Sequence, residues 1–471
     1  MQEHIDELAN LCRETLGQGT VTDLTRLSGG ASMESWRFSY GDRPLILRRL
    51  PFQSVPEAAV GPDNDVGAIS LATQAGLIRH LHGEGLKVPE VIGEFAPDSP
   101  LGEGFIMSCV TGEALPAKLL NKPEYGVARD RLSGQCASEL ARIHSVDIDA
   151  LPVALPRQNP QQLLDEQEGF YRQFGSANPV FELAFGWLSQ HCPQPTAYRL
   201  VHGDFRMGNF LVDGEGLTSV LDWELAHIGD PLRDIAFLCM PSWRFGHYGL
   251  EAGGFAELDT WLADYERASG QQLARESFQW WMIFNMLWWG VSCLRLGSTY
   301  RDGSVPSVER TIIGRRISEV EVDLLLALAE QRHQSQDTLT EPLAPIDPEL
   351  PLAQDITYPE MVTALSNWNR DEVLANASGH QIFASRVANN ALGIVNRALA
   401  LGPLYAQHQS QRLEALGYSS DALCEALRKD FAICHSDPCW NHLRLTTLER
   451  LMIDQPHYAG RAAAVGQWCG G

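Results

Sequence analysis

Three oxygen-bearing side chains cluster near position 210. Asp204 and Asn209 lie five residues apart in the run Leu200-Val-His-Gly-Asp-Phe-Arg-Met-Gly-Asn-Phe-Leu-Val, and Asp222 closes the next apolar run, Ser219-Val-Leu-Asp-Trp-Glu. Phosphoryl transfer asks for this set: a carboxylate to orient an attacking hydroxyl, and oxygen ligands for Mg²⁺. Mg²⁺ takes few protein ligands and keeps phosphate oxygens and waters, so Asn209 plus Asp222 would suffice. Taken singly, His-Gly-Asp also reads as a turn and Asp222 as a strand end. The ordered set is harder to explain that way.

The elements that must position these residues are legible in outline. Two short β-rich runs within Arg199–Asp222 flank the loop, and pairing them antiparallel predicts that the three oxygen donors meet at one edge. Toward the N-terminus, Ile5, Leu8, Leu11 and Leu16 have helical spacing. Val21–Ser28, Glu34–Tyr40 and Leu45–Leu50 read as strands of an antiparallel meander, joined by Ser28-Gly29-Gly30-Ala31-Ser32 and by a Gly41-Asp42 turn. Ile69–His82 has helical periodicity, and Phe105–Val110 is a short apolar strand. The signals are then mostly helical to about residue 332. Residues 334–358 carry Pro342, Pro345, Pro348 and Pro351 at three-residue spacing and read as an extended linker. Residues 359–471 read as helices only. The expected organisation is therefore an α+β, two-lobed domain (lobes 1–110 and 111–333), the linker 334–358, and a separate all-α domain 359–471. Few contacts are expected across the linker, so residues 1–345 should fold alone.

Composition narrows the classes. A chain of 471 residues with 44% hydrophobic content can bury a sizeable core. Its net charge of −23 disfavours nucleic-acid backbones and anionic membranes. Ten cysteines without a C-x-x-C fit reduced thiols in a cytosol. The acidic, amphipathic N-terminal stretch lacks the basic and apolar regions of a signal peptide. Trp280–Trp289, the most apolar stretch, contains Asn285 and is about half the length needed to span a bilayer. A cytoplasmic protein is the expectation.

The His-Gly-Asp-x-x-x-x-Asn run, the Asp222-Trp223 pair, Gly229-Asp230-Pro231 and Arg233-Asp234-Ile235-Ala236 together resemble the aminoglycoside phosphotransferase/choline kinase family, related to the protein kinases. The resemblance covers roughly residues 20–330. It implies a protein-kinase-like fold: a small antiparallel-sheet lobe and a mostly helical one. It implies ATP and Mg²⁺, with Asp204 as catalytic base, Asn209 and Asp222 on the metal, and Asp234 bracing the catalytic loop through backbone amides. By the same resemblance Ser28, Gly29, Gly30 and Ser32 would cover the nucleotide phosphates, since glycine permits close backbone approach. As a plain turn, that Gly-Gly loop needs no ligand. Arg48 occupies the place of the kinase strand lysine, and its planar fork suits phosphate. The other reading of such an arginine, a surface residue on an edge strand, fits Arg49 better. Phe105–Gly112 resembles the interlobe hinge, with Ser108 and Val110 near the adenine edge.

The chain departs from the family where a helix glutamate normally pairs with the strand cation. Alignment places Gln74 there, and Asp63 or Asp65 would be substitute acids. The resemblance is strongest to kinase-like domains associated with acyl-CoA dehydrogenases, which implies a hydroxyacyl-CoA or hydroxy acid as the small-molecule hydroxyl acceptor. An amino-alcohol or aminoglycoside acceptor, or a nucleotide-binding scaffold without turnover, are the competing readings. Trp281 and Trp288 share a helix face and read as core or as the wall of an acceptor pocket. Cys434, His435, Cys439 and His442 match no common zinc spacing and read as buried side chains. The stretch 359–471 resembles a bacterial helical domain of unknown function. There His380–Leu401 reads as amphipathic, with Phe383, Val387, Ala391, Ile394 and Val395 on its apolar face. Arg386, Asn390 and Arg397 lie on another face, as a solvated surface or a site for an anion or a protein partner.

Overall fold

A computed structural model of the chain describes residues 5–27, 33–50, 68–95, 99–175, 177–195, 197–332, 338–339 and 355–469. Ser28, Gly29, Gly30, Ser32, Asp63 and Asp65 lie outside these residues, as does most of the Pro-rich stretch. By its packing the chain divides into two compact units, residues 1–159 with 194–278, and residues 160–193 with 279–471.

The first unit contains the β-structure. Strands β1 (Val21–Arg26), β2 (Glu34–Tyr40), β3 (Arg43–Arg49), β4 (Val91–Phe95) and β5 (Gly104–Ser108) form an antiparallel sheet in the order β1-β2-β3-β5-β4. β2 and β3 pair from Glu34↔Arg49 to Tyr40↔Arg43. Gly41 at φ +57° supplies the first central residue of that two-residue turn, a conformation open to glycine at little cost. The alternation of β3 sends Leu45 and Leu47 into a core with Phe38, Ile92, Ile106 and, from the helix Ile5–Leu16, Leu8 and Cys12. Arg49 shares that face. It is 7% exposed, donates Nε and Nη2 to Glu34 at 3.1 and 2.8 Å, and reaches Leu101 O at 2.9 Å. The surface-arginine reading of Arg49 is thereby corrected: β3 lies inside the sheet, between β2 and β5. Ile46 and Arg48 lie on the opposite face.

The remaining strands form two separate ladders. β6 (Arg199–Val201) pairs with β9 (His227–Gly229), and β7 (Phe210–Val212) with β8 (Leu217–Val220). The expected single pairing across the loop is therefore replaced by two, one on each side. The helices Leu71–Gly83, Gly126–Ser145 and Leu258–Ser269 complete this unit's main framework.

The second unit is helical. The helices Pro179–Gln190 and Ile317–Ala329 pack on each other, on Ser420–Lys429 and on Asp437–Asp454 and Ala459–Trp468 respectively. The helices after the Pro-rich stretch thus share one compact unit with helices before it. Trp280 and Trp281 are each 1% exposed, and Trp280 Nε1 donates to Leu188 O at 2.9 Å, which makes this pair core. In the long helix His380–Leu416 only part of the expected apolar face is covered: Ile394 is buried, while Phe383 and Val395 are exposed. Arg397 donates to Ile453 O at 2.8 Å and Asp454 O at 3.4 Å, closing the end of a neighbouring helix. Among the described residues no helix is long and apolar enough to cross a membrane.

Candidate active site

The loop between β6 and β7 is built on one buried carboxylate. Asp234, from the short helix Leu232–Phe237, accepts from His202 N at 2.7 Å and Gly203 N at 2.8 Å. His144 Nε2 lies 3.1 Å from the same group, and its Nδ1 lies 2.7 Å from the Tyr265 hydroxyl. Burial works against a charge on Asp234, but these donors outweigh it and its pKa is lowered. Gly203 makes the turn possible. Its φ is +87°, and a Cβ would stand 2.5 Å from Leu225 O. His202 Nε2 lies 3.0 Å from Leu221 O, and Asp204 N donates to Nδ1 at 3.1 Å. One neutral tautomer, protonated on Nε2, satisfies both bonds.

The turn delivers Asp204 with its two oxygens gripped from opposite sides. Oδ1 accepts from Arg206 Nε at 2.8 Å, and Oδ2 accepts from Asn209 Nδ2 at 2.5 Å. Asn209 Nδ2 also reaches Asp204 O at 2.9 Å. The Arg206 guanidinium lies 4.3 Å from the centre of the Trp243 ring, which fixes its plane. Burial raises the Asp204 pKa; Arg206 opposes this and the Asp222 carboxylate adds to it. The result is a buried carboxylate with elevated proton affinity.

Asp222 follows β8 in a left-handed conformation, φ 68° and ψ 66°, uncommon for a residue with a Cβ. Leu221 N donates to Asn209 O at 2.8 Å, which ties the end of this hairpin back to the loop. Burial raises the Asp222 pKa and Arg48 outweighs it, leaving the acid below its ordinary value. Arg48 Nη2 donates to Asp222 Oδ1 at 2.6 Å and to Glu224 Oε2 at 3.0 Å. With Asn209 Nδ2 spent on Asp204 and Asp222 Oδ1 on Arg48, these residues keep Asn209 Oδ1 and Asp222 Oδ2 for a ligand. Two such oxygens suit a hard cation such as Mg²⁺.

One expectation is corrected here. Gln74 is not Arg48's partner: it is buried in the helix Leu71–Gly83, with Nε2 donating to Ile69 O at 2.9 Å. Among the described residues, the acids beside Arg48 are Asp222 and Glu224. At the expected hinge, the Ser108 amide donates to Glu90 O at 2.8 Å and the Cys109 amide to Pro44 O at 3.0 Å. These N–H groups belong to the sheet and its edge, which leaves the Ser108 carbonyl, and Val110 just beyond it, as hinge groups. Arg206, Glu224 and Trp243 join the site without belonging to the residues that the motifs single out. The signal for Glu224 was present in Asp-Trp-Glu, two residues past Asp222; nothing local marks Trp243.

The family model described as "Phosphotransferase enzyme family" matches residues 23–281, and a "Domain of unknown function (DUF6285)" matches residues 375–458. Among curated proteins, acyl-CoA dehydrogenase family member 10 of Mus musculus is 26% identical over 46% of this chain and 20% of its own length. Acyl-CoA dehydrogenase family member 11 of Pongo abelii is 27% identical over 54% of this chain and 33% of its own. The chain therefore spans a third or less of these relatives. A solved candidate aminoglycoside phosphotransferase from Ralstonia eutropha superposes with a TM-score of 0.52 at 20% identity, covering 67% of this chain and 95% of that one. That likeness extends to the two-lobed, kinase-like fold. With more than half its length matched and the Asp204–Asn209–Asp222 constellation inside the matched region, the chain belongs to the phosphotransferase enzyme family.

Proposed function

We propose that this chain transfers the γ-phosphoryl group of ATP to a hydroxyl of a small metabolite, with Mg²⁺. The observation that carries this is the Asp204 carboxylate, held by Arg206 and Asn209 on a loop whose amides are locked by Asp234. Asp204 takes the proton of the acceptor hydroxyl as its oxygen bonds to the γ-phosphorus and the bond from that phosphorus to the ADP oxygen breaks. Asn209 and Asp222 would hold Mg²⁺, which neutralises charge on the phosphate oxygens. Arg48 turns its fork to the phosphates, and the segment Ser28, Gly29, Gly30 and Ser32 would cover them. Val110 stands as the hinge contact for the adenine edge. The kinship with acyl-CoA dehydrogenase family members favours a hydroxyacyl-CoA or a hydroxy acid as acceptor.

One observation favours a second reading, a nucleotide-binding scaffold without turnover. Arg48 occupies Asp222 Oδ1, on the acid that a metal-bound nucleotide needs. A single assay separates the two. Purified protein is incubated with Mg·ATP and a panel of hydroxyacyl-CoAs, hydroxy acids, amino alcohols and aminoglycosides. Acceptor-dependent ADP release that disappears in Asp204→Asn supports the kinase. Nucleotide binding with no acceptor-dependent release supports the scaffold.

A further inference from the structure

We infer that Glu224 is the positioning residue for Arg48, in place of an acid on the helix Leu71–Gly83; this rests on the nucleotide-binding part of the function proposed above. Arg48 meets its two carboxylates with one nitrogen. Nη2 spans Asp222 Oδ1 at 2.6 Å and Glu224 Oε2 at 3.0 Å, and Nε faces Met33 Sδ at 3.4 Å. No bond to a described residue engages Nη1, the second arm of the fork.

The two acids have different futures when a nucleotide binds. Asp222 is needed for the cation, and a cation on Asp222 and the Arg48 guanidinium repel each other. That repulsion loosens Arg48 from Asp222 Oδ1, and Arg48 must stay close enough to reach a phosphate oxygen. Glu224 makes this possible, because its hold on Nη2 does not compete with the cation. The pair is only modestly exposed, with side chains 15% and 17% accessible, so loss of the Glu224 charge leaves a partly desolvated guanidinium without its anchor.

The local backbone explains why the acid belongs on this turn. Ile69 N donates to Glu224 O at 2.8 Å, and Gln74 Nε2 caps Ile69 O at 2.9 Å. The start of the helix is thus tied directly to the Glu224 backbone, and Gln74 braces that tie from a fully buried position. A carboxylate at 74 would face the Ile69 carbonyl instead of a donor. Gln74 serves the backbone here and makes no bond to Arg48.

The test measures nucleotide binding by calorimetry, with ADP alone and with Mg·ATP, alongside KM and kcat. Proteins are wild type, Glu224→Gln, Glu224→Asp, Gln74→Glu, Arg48→Ala, and the Arg48→Ala/Glu224→Gln and Arg48→Ala/Gln74→Glu doubles. Glu224→Gln keeps the shape and removes the charge. It should weaken binding of both nucleotides by roughly 3- to 20-fold, raise KM for ATP in parallel and leave kcat within about threefold. Glu224→Asp should recover part of the loss. Glu224→Gln should have little further effect once Arg48 is Ala, whereas Gln74→Glu should combine additively with Arg48→Ala. Wild-type binding in Glu224→Gln, or additive Arg48 and Glu224 effects, overturns the assignment. So does strong coupling of Gln74 with Arg48. Intact nucleotide binding without phosphoryl transfer would defeat the kinase reading alone, because the binding cycle still reports on the pair.

Discussion

A carboxylate that collects a proton during transfer gains from a raised pKa, and Asp204 has one because it is buried. Asp204→Asn keeps the shape but sets an amide NH2 against one of the two donors, Arg206 Nε or Asn209 Nδ2, so it removes the proposed base together with one of these contacts. Turnover should fall on the order of 10²–10⁴-fold with nucleotide affinity little changed. Steady-state rates and calorimetry on the same preparation check this, and wild-type kcat would remove Asp204 from the mechanism. His227 offers a stability test away from the reacting groups. Burial, then the neighbouring Arg233, lower its pKa from 6.5 to about 3. Its Nδ1 donates to Leu225 O at 2.9 Å, and its Nε2 accepts from Arg233 Nη1 at 3.1 Å. Below about pH 6.5 the unfolded chain binds a proton that the folded chain refuses, so this site subtracts stability as pH falls toward about 3. The expected slope is about 1.4 kcal/mol per pH unit in that window. Denaturant unfolding of His227→Gln should show a shallower decline between pH 6 and 4; an identical decline would exclude His227 as its source.

At the scale of elements, the β6–β7 loop depends on Gly203. A methyl group there meets the Leu225 carbonyl at 2.5 Å, and the backbone is left-handed. Gly203→Ala should cost about 2–5 kcal/mol and lower turnover as well, because Asp204 follows directly. Thermal unfolding and kinetics on one sample test both parts. An alanine protein of wild-type stability would mean that the turn relaxes without loss. The same scale shows what a sequence can disclose. β2 was readable at the observed residues because the Gly41-Asp42 turn that ends it is local and its strand signal is strong. β4 was not, because Gly93 breaks a five-residue run and the pairing shifts register between Val91 and Gly93. The misplacement of Arg49 has a non-local cause: only the return of β5 to the far side of β3 buries it. The Arg48–Glu224 contact joins residues 176 apart in sequence, beyond any spacing rule, so a family pattern pointed to the helix instead. The loop residues Asp204 and Asn209 were legible because the geometry between them is short-range.

At the scale of the whole molecule, the Pro-rich stretch marks a boundary in composition that the packing of the second unit does not follow. Residues 160–193 and 279–332 share that unit with everything described after residue 354. The helix Ile317–Ala329 shows what this means in charges. Glu321 is 1% exposed, accepts from Asn178 Nδ2 at 2.6 Å, and is bound by Arg450. Asp323 is 2% exposed and accepts from the Tyr458 hydroxyl at 2.6 Å. Burial raises the Glu321 pKa, and Arg450 offsets this only in part. Farther along, Arg332 Nη2 donates to His435 O and Asp437 Oδ1, each at 3.0 Å, and Arg428 is paired with Glu168. A protein ending at residue 345 loses Arg428, Arg450, Tyr458 and Asp437 together, along with the apolar cover of Trp440 and Trp468, both wholly buried. Glu321 and Arg332 are themselves buried, and stripping the partner from a buried charge is destabilising. The expectation from the linker alone, that residues 1–345 fold independently, is accordingly reversed. The 1–345 protein should be aggregated or should unfold well below the full chain. Co-expression with residues 355–471 as a separate polypeptide should restore soluble material that purifies as a complex. A monodisperse 1–345 protein with a melting transition equal to the full chain's would show that the helices before the linker are self-sufficient.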